Sequence, residues 1–184
     1  EMVKLGVPTV MGYLYRDGIR ELRHWDFDAQ VCSTLEENPE AFDLHAYFNK
    51  ELVLGFLQGS DESLRAQTEK LLDVLGTCEQ DIFGISLSAV LDRISHIMAL
   101  ASTAQCLAKV LKERYPKCTI VIGGLQASPD SQHPAIYKQL LEECSSIDFA
   151  YSGQGDERVV QLFRNIIRGE QTPAKSVGLS FYRG

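Results

Sequence analysis

At 184 residues, with 18 Lys and Arg against 25 Asp and Glu, the chain carries a formal net charge of −7 at pH 7. It is 45% hydrophobic and 9% aromatic, enough to bury the core of one ordinary domain, and this excludes a disordered chain. The Lys and Arg are scattered along the chain, which argues against nucleic acid or an anionic membrane as the main partner, because both need a basic footprint.

The longest apolar stretches fall far short of the roughly 20 residues that a membrane span requires. No basic, apolar and small-residue leader opens the sequence, so a cytoplasmic location is expected. Five cysteines, Cys32, Cys78, Cys106, Cys118 and Cys144, form no C-x-x-C pair. Their odd number and irregular spacing disfavour a disulfide framework and a zinc site, and predict separate, reduced, mostly buried thiols. Glu1 stands where a starting Met would, and the alternating run 177–184 stops where a hairpin partner should follow. Both ends therefore read as cut from a longer polypeptide.

In chain order, residues 8–17 predict a short helix, with Pro8 near its first turn and Gly18 just beyond its end. Residues 19–27 alternate Ile19, Glu21, Arg23 and Trp25 against Arg20, Leu22 and His24, which predicts an edge strand. Residues 38–57 and 61–75 predict two helices separated by 58–60, with Ser60 or Asp61 as N-cap. Leu64, Leu71, Leu72 and Leu75 form an apolar stripe near helical spacing. These two helices are the least typical part of the chain.

From Asp81 the rhythm becomes regular. Strand 81–88 (DIFGISLS) precedes a long helix over 92–114, which Pro116 stops. Strand 118–124 (CTIVIGG) leads to a helix over 134–144. Strand 147–153 (IDFAYSG) leads to a helix over 157–168, closed by Gly169. β-branched runs separated by helices of this length predict an α/β fold, a doubly wound parallel sheet of Rossmann-like or flavodoxin-like type. The strands lack polar alternation, as expected when helices cover both faces. Residues 1–184 therefore read as a single α/β domain.

In a doubly wound sheet, ligands bind outside the carboxyl ends of the strands. Those ends here are Ser86-Leu87-Ser88, Gly123-Gly124-Leu125-Gln126 and Ser152-Gly153-Gln154-Gly155-Asp156. All three are rich in small residues, which let a large ligand approach the backbone. A glycine there can also serve the turn alone, so the three loops carry weight together rather than singly. Gly153-Gln154-Gly155 begins a dinucleotide fingerprint, but Arg158 stands where its third glycine belongs. The Walker A lysine is absent, and so is a Ser/Thr/Gly-rich phosphate turn near the N-terminus.

The segments DIFGISLS, TIVIGGLQAS, IDFAYSGQGDERVVQLFRNIIRGE and GLSFYRG resemble the N-terminal cobalamin-binding domain of cobalamin-dependent radical SAM enzymes. The resemblance covers 81–184 well. Residues 5–28 are similar to the family's first helix and second strand, which implies a first strand upstream of Glu1. The resemblance also implies that 36–76 is a variable helical insert. The resemblance implies a cobalamin cofactor, with Ser86 and Ser88 facing the corrin. Leu87 lies between them. Gly123, Gly124 and Gln126 would pass beneath or beside the nucleotide tail, with Leu125 among the cofactor-binding residues, and Gly153, Gln154 and Gly155 would close the pocket. It also implies a radical SAM domain following in the same polypeptide, with 177–184 as the start of the linker. That domain would hold the [4Fe–4S] cluster and S-adenosylmethionine, for methyl transfer or related radical chemistry.

Three departures stand out. Gln126 replaces a frequent histidine, and Gln154 and Asp156 replace the glutamates of a G-E-G-E pattern. The D-x-H-x-x-G motif for a lower cobalt ligand is also absent, although Asp43-Leu44-His45 begins it. The C-x-x-x-C-x-x-C cluster motif is missing from this chain, as is any convincing Ser–His–Asp or paired-carboxylate arrangement. Catalysis by this chain alone is not expected, and no residue is assigned as catalytic or metal-ligating. His24, His45 and His96 read as packing or solvent residues, while His133 is the histidine near the proposed rim. Asp156, Glu157 and Arg158 read as helix-terminal charges. Two further readings of the same fold stay open: a docking or regulatory module without cofactor, and a flavin or nucleotide binder.

Overall fold

The computed structural model describes residues 6–87, 94–124, 133–152, 157–170, 175–176 and 179–183. Helix α1 spans Gly6–Arg16, with Pro8 in its first turn, where its missing N–H is not needed. The edge strand expected over 19–27 does not form. Residues 19–26 run irregularly, and Phe27–Glu37 is helix α2. Asp26 decides this, because its carboxylate accepts the Ala29 N–H at 3.0 Å and so caps the helix. The half-buried residues before it, Ile19, Leu22 and Trp25, recur every third position rather than every second. Trp25 stacks on Phe83 with ring centroids 6.2 Å apart.

Of the single helix expected over 38–57, residues 38–43 are not helical and the rest is broken in two. A 3-10 turn spans Leu44–Phe48, and helix α3 spans Lys50–Gln58. Asn49 makes the break, since its side-chain oxygen accepts from the N–H groups of Glu51 and Leu52 and restarts the helix. Helix α4 spans Arg65–Leu75, starting later than Asp61. The Asp61 carboxylate instead accepts from the Ser63 N–H at 2.7 Å, a local turn rather than a cap.

The remainder follows the expected alternation closely: β1 Ile82–Ser86, α5 Ile94–Arg114, β2 Thr119–Gly123, α6 His133–Glu143, β3 Phe149–Ser152 and α7 Glu157–Arg168. Two more strands follow, β4 Lys175–Ser176 and β5 Leu179–Arg183. The fold is mixed α/β, and the sheet order is β1-β2-β3-β5-β4. It is parallel across β1, β2 and β3, but β5 runs antiparallel to both β3 and β4. The parallel expectation therefore covers three strands. The hairpin partner of the terminal run is β4, which precedes it.

Period-two alternation assigns the two faces of the sheet. Val121 and Tyr151 pack with Val159 and Leu162 of α7, joined by Val10 of α1. Phe83, Ile120, Ile122 and Ala150 pack on the opposite side in one cluster with α5 and α6. Val53 and Phe56 of α3 and Leu71, Leu72 and Leu75 of α4 belong to that same cluster. Helices α3 and α4 therefore form a further layer over α5. Covered on both sides, α5 buries Ala101, Ala104, Cys106, Leu107, Ala108, Val110 and Leu111, residues spread around its circumference. An ion pair of 2.8 Å between Arg114 and Asp73 ties α5 to α4.

All five cysteines are free thiols, with Cys106, Cys118 and Cys144 buried, Cys78 half-buried and Cys32 exposed. Among the described residues no helix is long and apolar enough to cross a membrane.

Candidate functional site

Parallel pairing brings the carboxyl ends of β1 and β2 together, with Ser86 opposite Gly123. The Leu87 N–H extends the ladder by donating to the Gly123 carbonyl at 2.6 Å. Gly124 then turns away at φ +99°, a conformation that side-chain-bearing residues rarely adopt. A Cβ on Gly124 would lie 2.7 Å from the Ser86 hydroxyl oxygen and 3.0 Å from the Leu87 carbonyl oxygen. The two strand ends thus close on each other at this glycine. Ser86 itself is exposed, and Leu87 is buried at 3% exposure.

Gly123 serves a different purpose from the ligand approach expected of it. A Cβ built there would fall inside the ring of Tyr151, which lies across the glycine from the neighbouring strand. The ring is 9% exposed and packs with Val121, Val159 and Leu162. Burial pushes the Tyr151 hydroxyl up to about 12 from 10.0. Tyr151 belongs to the site and was missed by motif reading. The available signal was the alternation of Phe149 and Tyr151, which sets a large ring level with a glycine on the adjacent strand.

Of the expected site residues, the structure brings together Ser86, Leu87, Gly123 and Gly124. Ser88, Leu125, Gln126, Gly153, Gln154 and Gly155 lie outside the described residues. The four that are described carry no charge and no side chain larger than leucine. At the surface stand exposed Ser86 and half-buried Gly124, a small neutral floor over the ends of β1 and β2, with Leu87 and Gly123 buried. Such a floor can support a flat ligand by backbone and hydroxyl contacts, but offers no fixed charge for a phosphate.

Asp148 and Asp43 have structural partners. Asp148, at the amino end of β3, accepts from the Ile120 N–H and from Lys112, both at 2.8 Å. Asp43 caps the 3-10 turn through the His45 N–H at 3.1 Å, so Asp43-Leu44-His45 is a local cap. His45 is exposed beside Phe48, and His24 is exposed in the irregular segment after α1. His96 lies on α5, and His133 is the first residue of α6. Among the described residues no three His, Cys, Asp or Glu side chains are grouped to hold a metal ion.

Two shallow cavities of about 220 and 270 Å³ lie between the end of α1 and α7, the first against Val160 and Arg164 and the second against Arg164, Ile167 and Arg168. Arg164 lines both, and its guanidinium Nε donates to the Asp17 carboxylate at 3.0 Å. That ion pair joins the two helices, and the cavities include none of the expected site residues. Comparison with protein families, with curated proteins and with solved structures finds no match to this chain.

Proposed function

We propose that the chain is the cobalamin-binding module of a radical SAM enzyme, a doubly wound, Rossmann-like domain that receives a corrin on the carboxyl ends of its strands. The observation that carries this reading is the neutral floor made by exposed Ser86 and half-buried Gly124. A corrin is broad, flat and fringed with amides, so its fit depends on low relief and scattered hydrogen-bonding groups rather than on charge. Ser86 offers an exposed hydroxyl that can donate to or accept from an amide. Gly124 keeps the surface low, because its conformation and its contact with Ser86 exclude a side chain. Leu87 and Tyr151 seal the layers beneath and keep water out of the sheet.

When bound, cobalamin supplies the methyl-transfer or radical chemistry. This chain's part is to orient the ring and shield one of its faces. In this reading the [4Fe–4S] cluster and S-adenosylmethionine belong to a radical SAM domain of the same cytoplasmic polypeptide, and substrate binds between the two. Equilibrium dialysis of the folded chain against hydroxocobalamin tests the proposal. A saturable, stoichiometric corrin spectrum retained with the protein is expected, and its absence at high micromolar cobalamin would overturn the reading.

A second reading, a docking module of the same fold without cofactor, draws support from the Tyr151 ring that already occupies the Gly123 notch. It predicts no retained corrin in the same dialysis.

A further inference from the structure

Helix α7 begins after the carboxyl end of β3 and returns along the sheet, and Ile166 belongs to the cluster that holds Ile82 and Phe149, the first residues of β1 and β3. Its last turns therefore lie toward the amino ends of the strands, away from Ser86 and Gly124. The two shallow cavities meet at this end, since Asp17 and Arg164 line both. Arg16 stands in the first beside Tyr13, with its guanidinium carbon 4.9 Å from the centre of the tyrosine ring. Arg168 stands in the second, one turn beyond Arg164 on the same face of α7. Three arginines thus line a joined groove against one carboxylate, that of Asp17, in a chain whose net charge is −7.

Arg164 is held in place within this groove. Its Nε donates to Asp17 at 3.0 Å and its Nη1 to Gln161 at 3.1 Å, while its Nη2 also donates to Asp17. A guanidinium has five N–H groups, so donors remain beyond these bonds. Glu170 comes no nearer to Arg168 than 3.9 Å, and both side chains are exposed, where such a pair contributes little. Exposed Ile167 and half-buried Ile19 add an apolar wall to the second cavity. Basic side chains in a last turn also complement the helix dipole. Here, however, both helix ends are closed by their own backbone. The Gly18 and Ile19 N–H groups donate to Tyr15 and Leu14, and those of Gly169 and Glu170 to Ile166 and Asn165.

We propose that this groove docks an acidic polypeptide segment, with carboxylates on Arg16, Arg164 and Arg168 and an apolar side chain against Ile19 and Ile167. Shallow and open, the groove suits a chain laid across it better than an enclosed small molecule. Guanidinium forks match carboxylates in geometry as well as charge. The excess of positive charge is local, so an acidic partner is attracted here although the chain as a whole repels it. None of these residues belongs to the floor at Ser86 and Gly124, and the proposal does not depend on the corrin reading.

Fluorescence anisotropy of a dye-labelled peptide, a leucine flanked on each side by three glutamates, tests this with the folded chain. Saturable binding is expected, weakening about tenfold or more between about 20 mM and about 200 mM salt, because exposed charges are screened. The same peptide with glutamine in place of glutamate should not bind. Arg16→Glu combined with Arg168→Glu reverses two exposed charges and leaves the bond between Arg164 and Asp17 in place. With folding verified by circular dichroism, this pair should weaken binding about tenfold or more. Lys117→Glu combined with Lys138→Glu makes the same change in net charge at exposed positions elsewhere, and should alter binding less than about twofold. Equal losses in the two double variants would overturn the proposal, as would equal binding of the glutamine peptide or no binding of the glutamate peptide. Binding of inorganic phosphate without binding of the peptide would mark a small-anion site and overturn it too.

Discussion

The ring of Tyr151 lies on Gly123, with the last residue of β2 left bare so that an aromatic side chain on β3 can cover it. The glycine is therefore a packing residue of the α7 face. Gly123→Ala should destabilise the fold by about 1–3 kcal/mol, since the added methyl overpacks the site. Because the two residues are in contact, the double variant with Tyr151→Ala should be more stable than the sum of the single effects predicts. Urea denaturation of the four proteins measures this, and strict additivity would contradict the contact.

Gly124 is demanding for another reason. Its φ of +99° strains any side-chain-bearing residue, and its Cβ would press on Ser86 and the Leu87 backbone. Gly124→Ala should cost about 1–3 kcal/mol, and Ser86→Gly should not restore it, because the backbone strain persists. Gly12 in α1 offers the contrast, with nothing within 4 Å of an added Cβ. There Gly12→Ala should stabilise by about 0.5–1 kcal/mol, because alanine loses less freedom in forming a helix. Thermal melts of both variants would reveal the opposite signs.

The Cys106 thiol and the Tyr151 hydroxyl are both pushed by burial to about 12, from 9.0 and 10.0. Raised folded-state values mean that the unfolded chain releases these protons first as pH rises. Their contribution to stability is full below about pH 9 and is lost between pH 9 and 12. Denaturation midpoints at intervals from pH 7 to 11 should fall on the alkaline side. Tyr151→Phe should lessen the fall above pH 10, and a flat profile in the unmodified chain would contradict the burial of both groups.

Helix α2 depends on the single side-chain cap at Asp26. Asp26→Ala should destabilise by about 1 kcal/mol, and Asp26→Ser should recover most of that loss, because serine also accepts the capping hydrogen bond. Circular dichroism with urea titration reads both effects. Equal stability of the alanine and serine variants would show that the cap contributes nothing.

Where local sequence and tertiary packing asked for the same element, the residues alone sufficed. The stretches from Ile82 to Arg168 have β-branched runs bounded by turns and helices bounded by Pro or Gly, and each element appears within a few residues of expectation. Upstream, competing signals misled. The alternation at residues 19–27 suggested a strand, but Asp26 and the three-residue spacing of Ile19, Leu22 and Trp25 favoured an irregular run and a capped helix. Asn49 divided another expected helix for the same reason, since one short amide oxygen can satisfy two helical N–H groups.

By itself the sequence determined the α/β alternation, the neutral character of the strand ends and the presence of helices between residues 38 and 75, because composition and period are local properties. Only the tertiary structure decided that β5 returns antiparallel beside β3 and that α5 lies covered on both sides. It also decided what Gly123 is for. A glycine at a strand end looks the same in sequence whether it admits a ligand or a neighbouring ring. The difference lies in which side chain the adjacent strand sets level with it, and strand register is fixed by long-range pairing.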